Sequence, residues 1–518
     1  MLARTKCYTL IGIQGEPVTV EAYVSSASLF QFNIVGLPDT AVKESRDRVG
    51  AALKNSGFTM PVGRTVVNLS PADLRKEGTA FDLPIAIAII LASRQMQAAP
   101  LEDCVLIGEL ALDGRLQPVS GALSMVISAH ERGIRKVVLP RDNAAEVAVV
   151  SGMEVYPAGS LYEVTQHLSG KMPIPAQAQK SYEECLAQTK FDMDLSQVRG
   201  QQLPRRALEI AAAGGHNLLL IGVPGSGKTM LARCLPGLLP EMNQEEAFET
   251  TRIHSAAGVL KPGAGLITQR PFRTPHHSAS LASLIGGGLN ARPGEVSLAH
   301  NGVLFLDEMP EYPRSVLEAL RQPLEDGFIT VSRVKAHTQY LSRIMLVASM
   351  NPCPCGYYGS KTRHCRCGSH EIKRYLDRIS GPLLDRIDLQ VEVDMVPVED
   401  IVRESEQESS AQVRSRVRMA RQMQLERFQG SGLRCNAQLT GKNMEGKAQL
   451  SSDARTLLQN AVRKYSLSMR AYTRLIKVAR TIADLQGEAT VELPAMAEAI
   501  QFRIIDGKYW GEQTGTII

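Results

Sequence analysis

No apolar run in this chain of 518 residues approaches the roughly 18 residues needed to cross a bilayer. The longest, residues 83–92, has the length of a buried helix. The N-terminus, Met-Leu-Ala-Arg-Thr-Lys-Cys, lacks the apolar stretch of a secretory signal. A cytoplasmic protein with no membrane contact is expected. Internal repeats and long low-complexity tracts are absent as well. Neither sign of charge is in large excess: 58 Lys and Arg against 53 Asp and Glu leave +5, with a pI near 8.6. That balance permits nucleic-acid binding without requiring it.

What is present is the composition of a globular protein, 44% hydrophobic and 21% charged, too long for one core. Two to four domains are expected. Residues 1–170 mix strand-like alternation (18–24, 64–69, 135–139) with helical stretches (79–96, 123–132), which reads as an α+β domain. Residues 171–190 are polar and proline-bearing, as a linker is. Residues 191–398 alternate buried strands (217–221, 302–306, 344–348) with helices, the pattern of a parallel α/β sheet. Residues 399–518 turn helical, most strongly over 454–485, and form a small C-terminal domain.

Gly222-Val223-Pro224-Gly225-Ser226-Gly227-Lys228-Thr229 fits the phosphate-loop pattern G-x-x-x-x-G-K-[ST]. Its glycines let successive backbone N–H groups face a phosphate. Lys228 supplies charge to the β- and γ-phosphates of ATP, and the Thr229 hydroxyl ligates Mg2+. The helix that follows aims its positive end at the phosphates. Val303-Leu-Phe-Leu-Asp307-Glu308 is the matching second element: Asp307 for Mg2+ and Glu308 to polarise the attacking water. Asn351 sits after the third strand, where a polar sensor of the γ-phosphate belongs. Arg386 reads either as an arginine finger or as a surface ion pair with Asp385 or Asp388. Arg470, or Arg474 on the same helix face, is read as a second sensor reaching the nucleotide from the helical lid.

Of nine cysteines, Cys353, Cys355, Cys365 and Cys367 lie within fifteen residues as two C-x-C-G pairs. In a cytoplasmic protein such a cluster suggests metal, and four thiolates suit structural Zn2+. His364 is an alternative ligand, and reduced thiols in a loop are the plain alternative.

These motifs resemble the AAA+ superfamily, and its magnesium-chelatase-like branch in particular. Arg292-Pro-Gly-Glu-Val-Ser-Leu-Ala-His-Asn-Gly, Leu320-Arg-Gln-Pro-Leu-Glu-Asp-Gly and Ile329-Thr-Val-Ser-Arg carry that match. Val198-Arg-Gly200-Gln, Arg206-Ala-Leu-Glu-Ile-Ala-Ala-Ala-Gly-Gly-His-Asn and Met350-Asn-Pro-Cys-Pro-Cys-Gly narrow it to the bacterial YifB/ComM family, over essentially the whole chain. The resemblance implies an ATP-driven homo-oligomeric ring, usually a hexamer. It implies DNA (single-stranded, duplex or branched) as the partner, and branch migration during natural transformation as the task. It also implies that Val198 and Gly200 lie near the adenine and that Arg386 acts across the subunit interface. An insert near 255–288 and a hairpin near 327–341 are implied to project toward a central pore. Lys261, Arg270, Arg273, Arg333 and Lys335 are their basic residues, suited to a phosphate backbone or simply to solvent.

The N-terminal region resembles the Lon-protease-type fold. Lys76-Glu-Gly-Thr-Ala80-Phe-Asp occupies the place of the nucleophile motif, and Gly108-Glu-Leu-Ala-Leu-Asp-Gly-Arg115 matches the next block. Ala80 stands where the resemblance expects serine, and Met125 where it expects lysine, so peptide hydrolysis has neither nucleophile nor base. The leading expectation is an ATPase that moves DNA. A chelatase-type remodeller is the alternative, weakened by the absence of a D-x-S-x-S motif. A protein unfoldase is a further option.

Overall fold

The computed structural model describes residues 1–25, 30–98, 101–186, 191–287, 291–333, 336–360, 363–397, 407–440, 444–465, 467–503 and 505–510. The N-terminal unit is built on seven strands: β1 (Leu2–Ile11), β2 (Gln14–Ser25), β3 (Gln31–Val35), β4 (Arg64–Ser70), β5 (Cys104–Leu106), β6 (Lys136–Pro140) and β7 (Glu154–Ala158). Their order is β3-β4-β2-β1-β5-β6-β7. The β1–β2 and β2–β4 pairs are antiparallel; the others are parallel. Helices α1 (Thr40–Asn55), α2 (Asp82–Ala92), α3 (Ala122–Glu131) and α4 (Arg141–Val147) cover it. Helix α2 is apolar all round and almost wholly buried, as such a helix must be. Residues 171–180 lack regular structure but are tied down: the Gln177 and Lys180 N–H groups donate to Val155 O and Ala148 O, at 2.8 and 3.1 Å.

The second sheet follows α5 (Gln202–Gly214). Its strands are β8 (Leu218–Gly222), β9 (Phe272–Arg273), β10 (Val303–Leu306), β11 (Met345–Met350) and β12 (Leu389–Val393). They run in the order β9-β10-β11-β8-β12, every pair parallel. The three apolar strands read from the sequence form its centre. The expected hairpin is present as strands Phe328–Arg333 and Ala336–Leu341. Because the strands are parallel, their C-terminal ends share one edge, and loops leaving that edge converge.

Helices α6 (Lys228–Leu238) and α7 (Gln244–Ala257) follow β8, and α7 carries a full capping box between Asn243 and Glu246. The helical C-terminal region comprises α8 (Ser410–Arg427), α9 (Ser452–Lys464), α10 (Met469–Gln486) and α11 (Leu493–Gln501). The helical pattern over 454–485 is two helices: Ser468 caps the second by accepting from Ala471 N–H. This region shares one apolar cluster with α5, α6 and β8. No helix among the described residues is long and apolar enough to cross a membrane.

The two sheet units meet at α7. Gly121 N–H donates to Ser255 O at 2.9 Å and Gly263 N–H to Asp142 O at 2.8 Å. Arg252 reaches Ile13 O at 2.8 Å, and the Ser255 hydroxyl donates to Glu146 at 2.6 Å. The first part of the insert was expected to project toward a pore. The N-terminal unit holds this part, where α3 and α4 offer backbone and carboxylate partners.

Candidate functional site

Three loops leave the C-terminal edge of the second sheet together. Gly225 and Gly227 take φ of 79 and 90, which glycine adopts without a steric cost. A Cβ on Gly222 would sit 2.3 Å from Val393 O. The glycines therefore allow both the wrap of the loop and its close approach to β12. Lys228 Nζ donates to Gly222 O at 2.7 Å, Val223 O at 2.9 Å and Asn351 Oδ1 at 3.2 Å. Burial lowers its pKa to about 8, with Asp307 and Glu308 pulling the other way. The Thr229 hydroxyl donates to Asp307 Oδ2 at 3.0 Å. A hydroxyl and a carboxylate at that separation suit the oxygen-ligand chemistry of Mg2+.

Glu308 follows with φ 52, left-handed for a non-glycine residue. Its carboxylate is 57% exposed and stands 3.9 Å from His277 Nδ1. His277 packs against His276 in the segment leaving β9, with ring centroids 4.1 Å apart and planes tilted by 34°. Val198 is buried and Gly200 takes φ 59. The next residue, Gln201, donates to Ser226 O at 3.3 Å, which ties that segment to the phosphate loop.

Sequence reasoning missed Ser349, whose hydroxyl donates to Asp307 and accepts from Glu308 N–H at 3.2 Å. Its signal was a lone polar residue inside an apolar strand. Reasoning also missed His277 and Gln201. Adjacent histidines before β10 were a visible signal; a glutamine after a glycine was not.

Arg386 and Arg470 do not join this group. Arg386 precedes β12 and donates to Arg321 O at 3.1 Å, to Pro382 O at 2.7 Å and to Glu325. Arg470 pairs with Asp385 at 3.4 Å and Arg474 with Asp388 at 3.3 Å. All three line one pocket with Asn217, Gly302 and Met345, which lie at the N-terminal starts of β8, β10 and β11. That is the sheet edge opposite the phosphate loop. Arg470 and Arg474 therefore do not reach the phosphate loop of their own chain. Helix α10 begins at the far edge because the C-terminal helices pack along α5 and α6 rather than over the loop.

Of the basic residues expected to face DNA, Arg270 is corrected and Arg273 is paired within the subunit. Arg270 is enclosed by Pro240 O, Asn301 O, Glu241 O and the Glu246 carboxylate. Arg273 is held by both oxygens of Glu295, at 2.7 and 2.8 Å. Lys261 is exposed. Lys335 and the side chain of Arg333 lie outside the described residues.

The four clustered cysteines converge. All four sulfurs lie within 4.8 Å of one another. Cys353 Sγ is 3.4 Å from Cys355 Sγ and 3.7 Å from Cys365 Sγ. Thiolates around tetrahedral zinc stand about 3.8 Å apart, so the set fits that metal. Burial opposes ionisation of Cys355, but backbone N–H donors of Arg366 and Tyr357 outweigh it and lower its pKa to about 6. The knuckle rests on the phosphate loop: a Cβ on Gly356 would meet Pro224 Cδ at 2.6 Å.

The parallel sheet, the loop with its paired acids and the helical C-terminal region define a magnesium-chelatase-like AAA+ protein. Residues 194–401 match the family profile described as magnesium chelatase, subunit ChlI, and residues 407–503 match its C-terminal counterpart. Residues 20–143 match the profile described as subunit ChlI of Mg-chelatase. The chain is 46% identical over 495 residues to competence protein ComM of Haemophilus influenzae, covering 95% of this chain and 96% of that one. It is 45% identical over 504 residues to the uncharacterized protein YifB of Escherichia coli, covering 96% of each. A short stretch is 30% identical over 106 residues to the Lon protease of Rhizobium meliloti, covering 19% of this chain and 13% of that protein. The chain belongs to the YifB/ComM family.

Proposed function

We propose that this protein is an ATPase whose subunits form a ring, usually of six, that translocates on DNA and promotes branch migration during natural transformation. One observation carries the ring. Lys228, Thr229, Asp307, Glu308 and Asn351 gather at one edge of the sheet, and Arg386, Arg470 and Arg474 at the other. Phosphoryl transfer needs both sets, and stacking one subunit's loop edge on its neighbour's arginine edge supplies both. The DNA reading is supported by the full-length similarity to a protein named for competence.

In the proposed cycle, N–H groups of residues 225–229 hold the phosphates, and Lys228 leaves the loop carbonyls for the γ-phosphate. Thr229 and Asp307 would hold Mg2+, which would supply positive charge to the phosphate oxygens. Glu308 polarises the water, Asn351 orients the γ-phosphate, and Val198 and Gly200 flank the base. Arg386 of the adjoining subunit stabilises the transition state, with Arg470 or Arg474 beside it. Cys353, Cys355, Cys365 and Cys367 hold a structural Zn2+ that fixes the knuckle.

The N-terminal unit is proposed as a Lon-like, non-proteolytic domain serving ring assembly or DNA contact. Ala80 and Met125 share one buried apolar cluster, and neither side chain can serve as nucleophile or base. A chelatase-type remodeller is the second reading, favoured by the three profile matches.

Turnover measured with single-stranded, duplex and four-way-junction DNA separates the two. Stimulation by DNA, greatest on the junction, is expected; no binding and no stimulation by any DNA overturns the motor reading.

A further inference from the structure

The helix after the cysteine knuckle, Ser369–Leu376, buries Ile372, Tyr375 and Leu376. It turns His370, Lys373 and Arg374 to solvent, and spacings of three and four residues put these on one face. That face is one wall of an open groove of about 850 Å³, with Pro310, Pro313 and Arg314 across from it. Four permanent cations line the groove (Arg314, Lys373, Arg374 and Arg378) against two carboxylates, Glu311 and Asp377. Arg378 pairs with Glu311 at 2.8 Å. Arg314, Lys373 and Arg374 are exposed and make no ion pair among the described residues. Solvated surface charge is ordinarily of mixed sign and scattered; here cations outnumber carboxylates four to two along one concavity. The knuckle extends the same character, with Arg363 over the Tyr357 ring, 4.5 Å from its centroid, and Arg366 exposed.

The geometry points to a binding groove for the sugar-phosphate backbone of nucleic acid between this helix and the turn that follows Glu308. The inference rests on the DNA-motor reading and gives it a contact surface. Of the insert cations, Arg270 and Arg273 are spent on partners inside the subunit. The groove also adjoins the hydrolytic group. Arg378 donates to Pro310 O at 3.1 Å, and Glu311 N–H donates to Glu308 O at 2.8 Å. A phosphate in the groove competes with Glu311 for Arg378, so its arrival is felt in the turn that carries Glu308. Lysine and arginine at such a site act by releasing counterions, so binding must weaken with salt.

The test uses the full-length protein, a fluorescein-labelled single strand and its duplex, and anisotropy across a series of salt concentrations. The Lys373→Glu/Arg374→Glu variant is compared with wild type, and Lys373→Gln/Arg374→Gln is the milder form should the first fold poorly. The expected result is an affinity loss of about tenfold or more at low salt. The log–log salt slope should shrink by about two, one unit per lost phosphate contact. Wild type that binds DNA alongside variants with unchanged affinity and slope overturns the groove and leaves the motor reading standing. Wild type that binds no DNA overturns both. Variants whose assembly size changes while DNA affinity does not make the groove a contact between copies of this chain, which also overturns the inference.

Discussion

His277 Nδ1 faces the Glu308 carboxylate at 3.9 Å. The histidine belongs to the segment leaving β9, and the glutamate to the end of β10, so one contact links the insert to the proposed base. The contact ties the Glu308 carboxylate to the insert, while its charge still acts on Lys228. His277→Ala is expected to raise turnover without DNA several-fold and to narrow the gap between DNA-free and DNA-bound rates. Steady-state ATPase assays with and without DNA measure both.

Lys228→Ala is expected to abolish nucleotide binding, measured by a fluorescent ATP analogue. Glu308→Gln should bind ATP normally yet turn over about 10²–10⁴-fold more slowly, the range for loss of a general base. Full turnover in Glu308→Gln removes the base assignment.

Arg386→Ala and Lys228→Ala rings should each be inactive, because each lacks one half of every site. Mixed rings contain interfaces where an intact loop meets an intact Arg386, so mixing should restore part of the activity. Mixtures that stay inactive place both groups in one subunit's site.

Gly356 takes φ 86 and has no room for a Cβ beside Pro224. Gly356→Ala should therefore weaken ATP affinity, although residue 356 touches no phosphate. Cys353→Ser/Cys355→Ser should lose stoichiometric zinc by elemental analysis and lower the melting temperature. Unchanged metal content in that variant rules out the zinc site.

Asp388 gives a pH dependence. Burial by itself raises its pKa, but the His216 hydrogen bond, with the charges of His216 and Arg474, outweighs burial and holds it at about 2. An unfolded aspartate titrates near about 3.9. The folded state therefore binds fewer protons between these values. The group's stabilisation is complete above about pH 4 and is lost as pH falls through about 2. Asp388→Asn leaves a buried arginine without its partner and should cost about 3 kcal/mol at neutral pH. Its melting temperature should then fall less steeply than wild type on acidification.

Part of this was legible in the sequence because it is local. A run of apolar residues ending in Gly-x-x-Gly-x-Gly-Lys-Thr fixes a buried strand, a wrapped loop and a helix without reference to the rest of the chain. The same holds for Val-Leu-Phe-Leu-Asp-Glu and for the apolar helix over 82–92. Strand β12 was not named beforehand because Gln390 and Glu392 interrupt its apolar pattern, although Gln390 is buried. The thiolate spacing pointed to a metal, but only folding brought the two C-x-C pairs together.

The edge of the sheet that a charged residue occupies was decided by tertiary structure alone. Arg470 and Arg474 read as sensors on the helical lid, and the packing of α10 along α5 put them at the edge opposite their own chain's phosphate loop. Arg270 read as a free cation until four acceptors closed around it. Local sequence fixes the conformation and charge of a segment. Which charges remain available, and to which subunit, depends on contacts between residues hundreds of positions apart, and no periodicity or spacing encodes those.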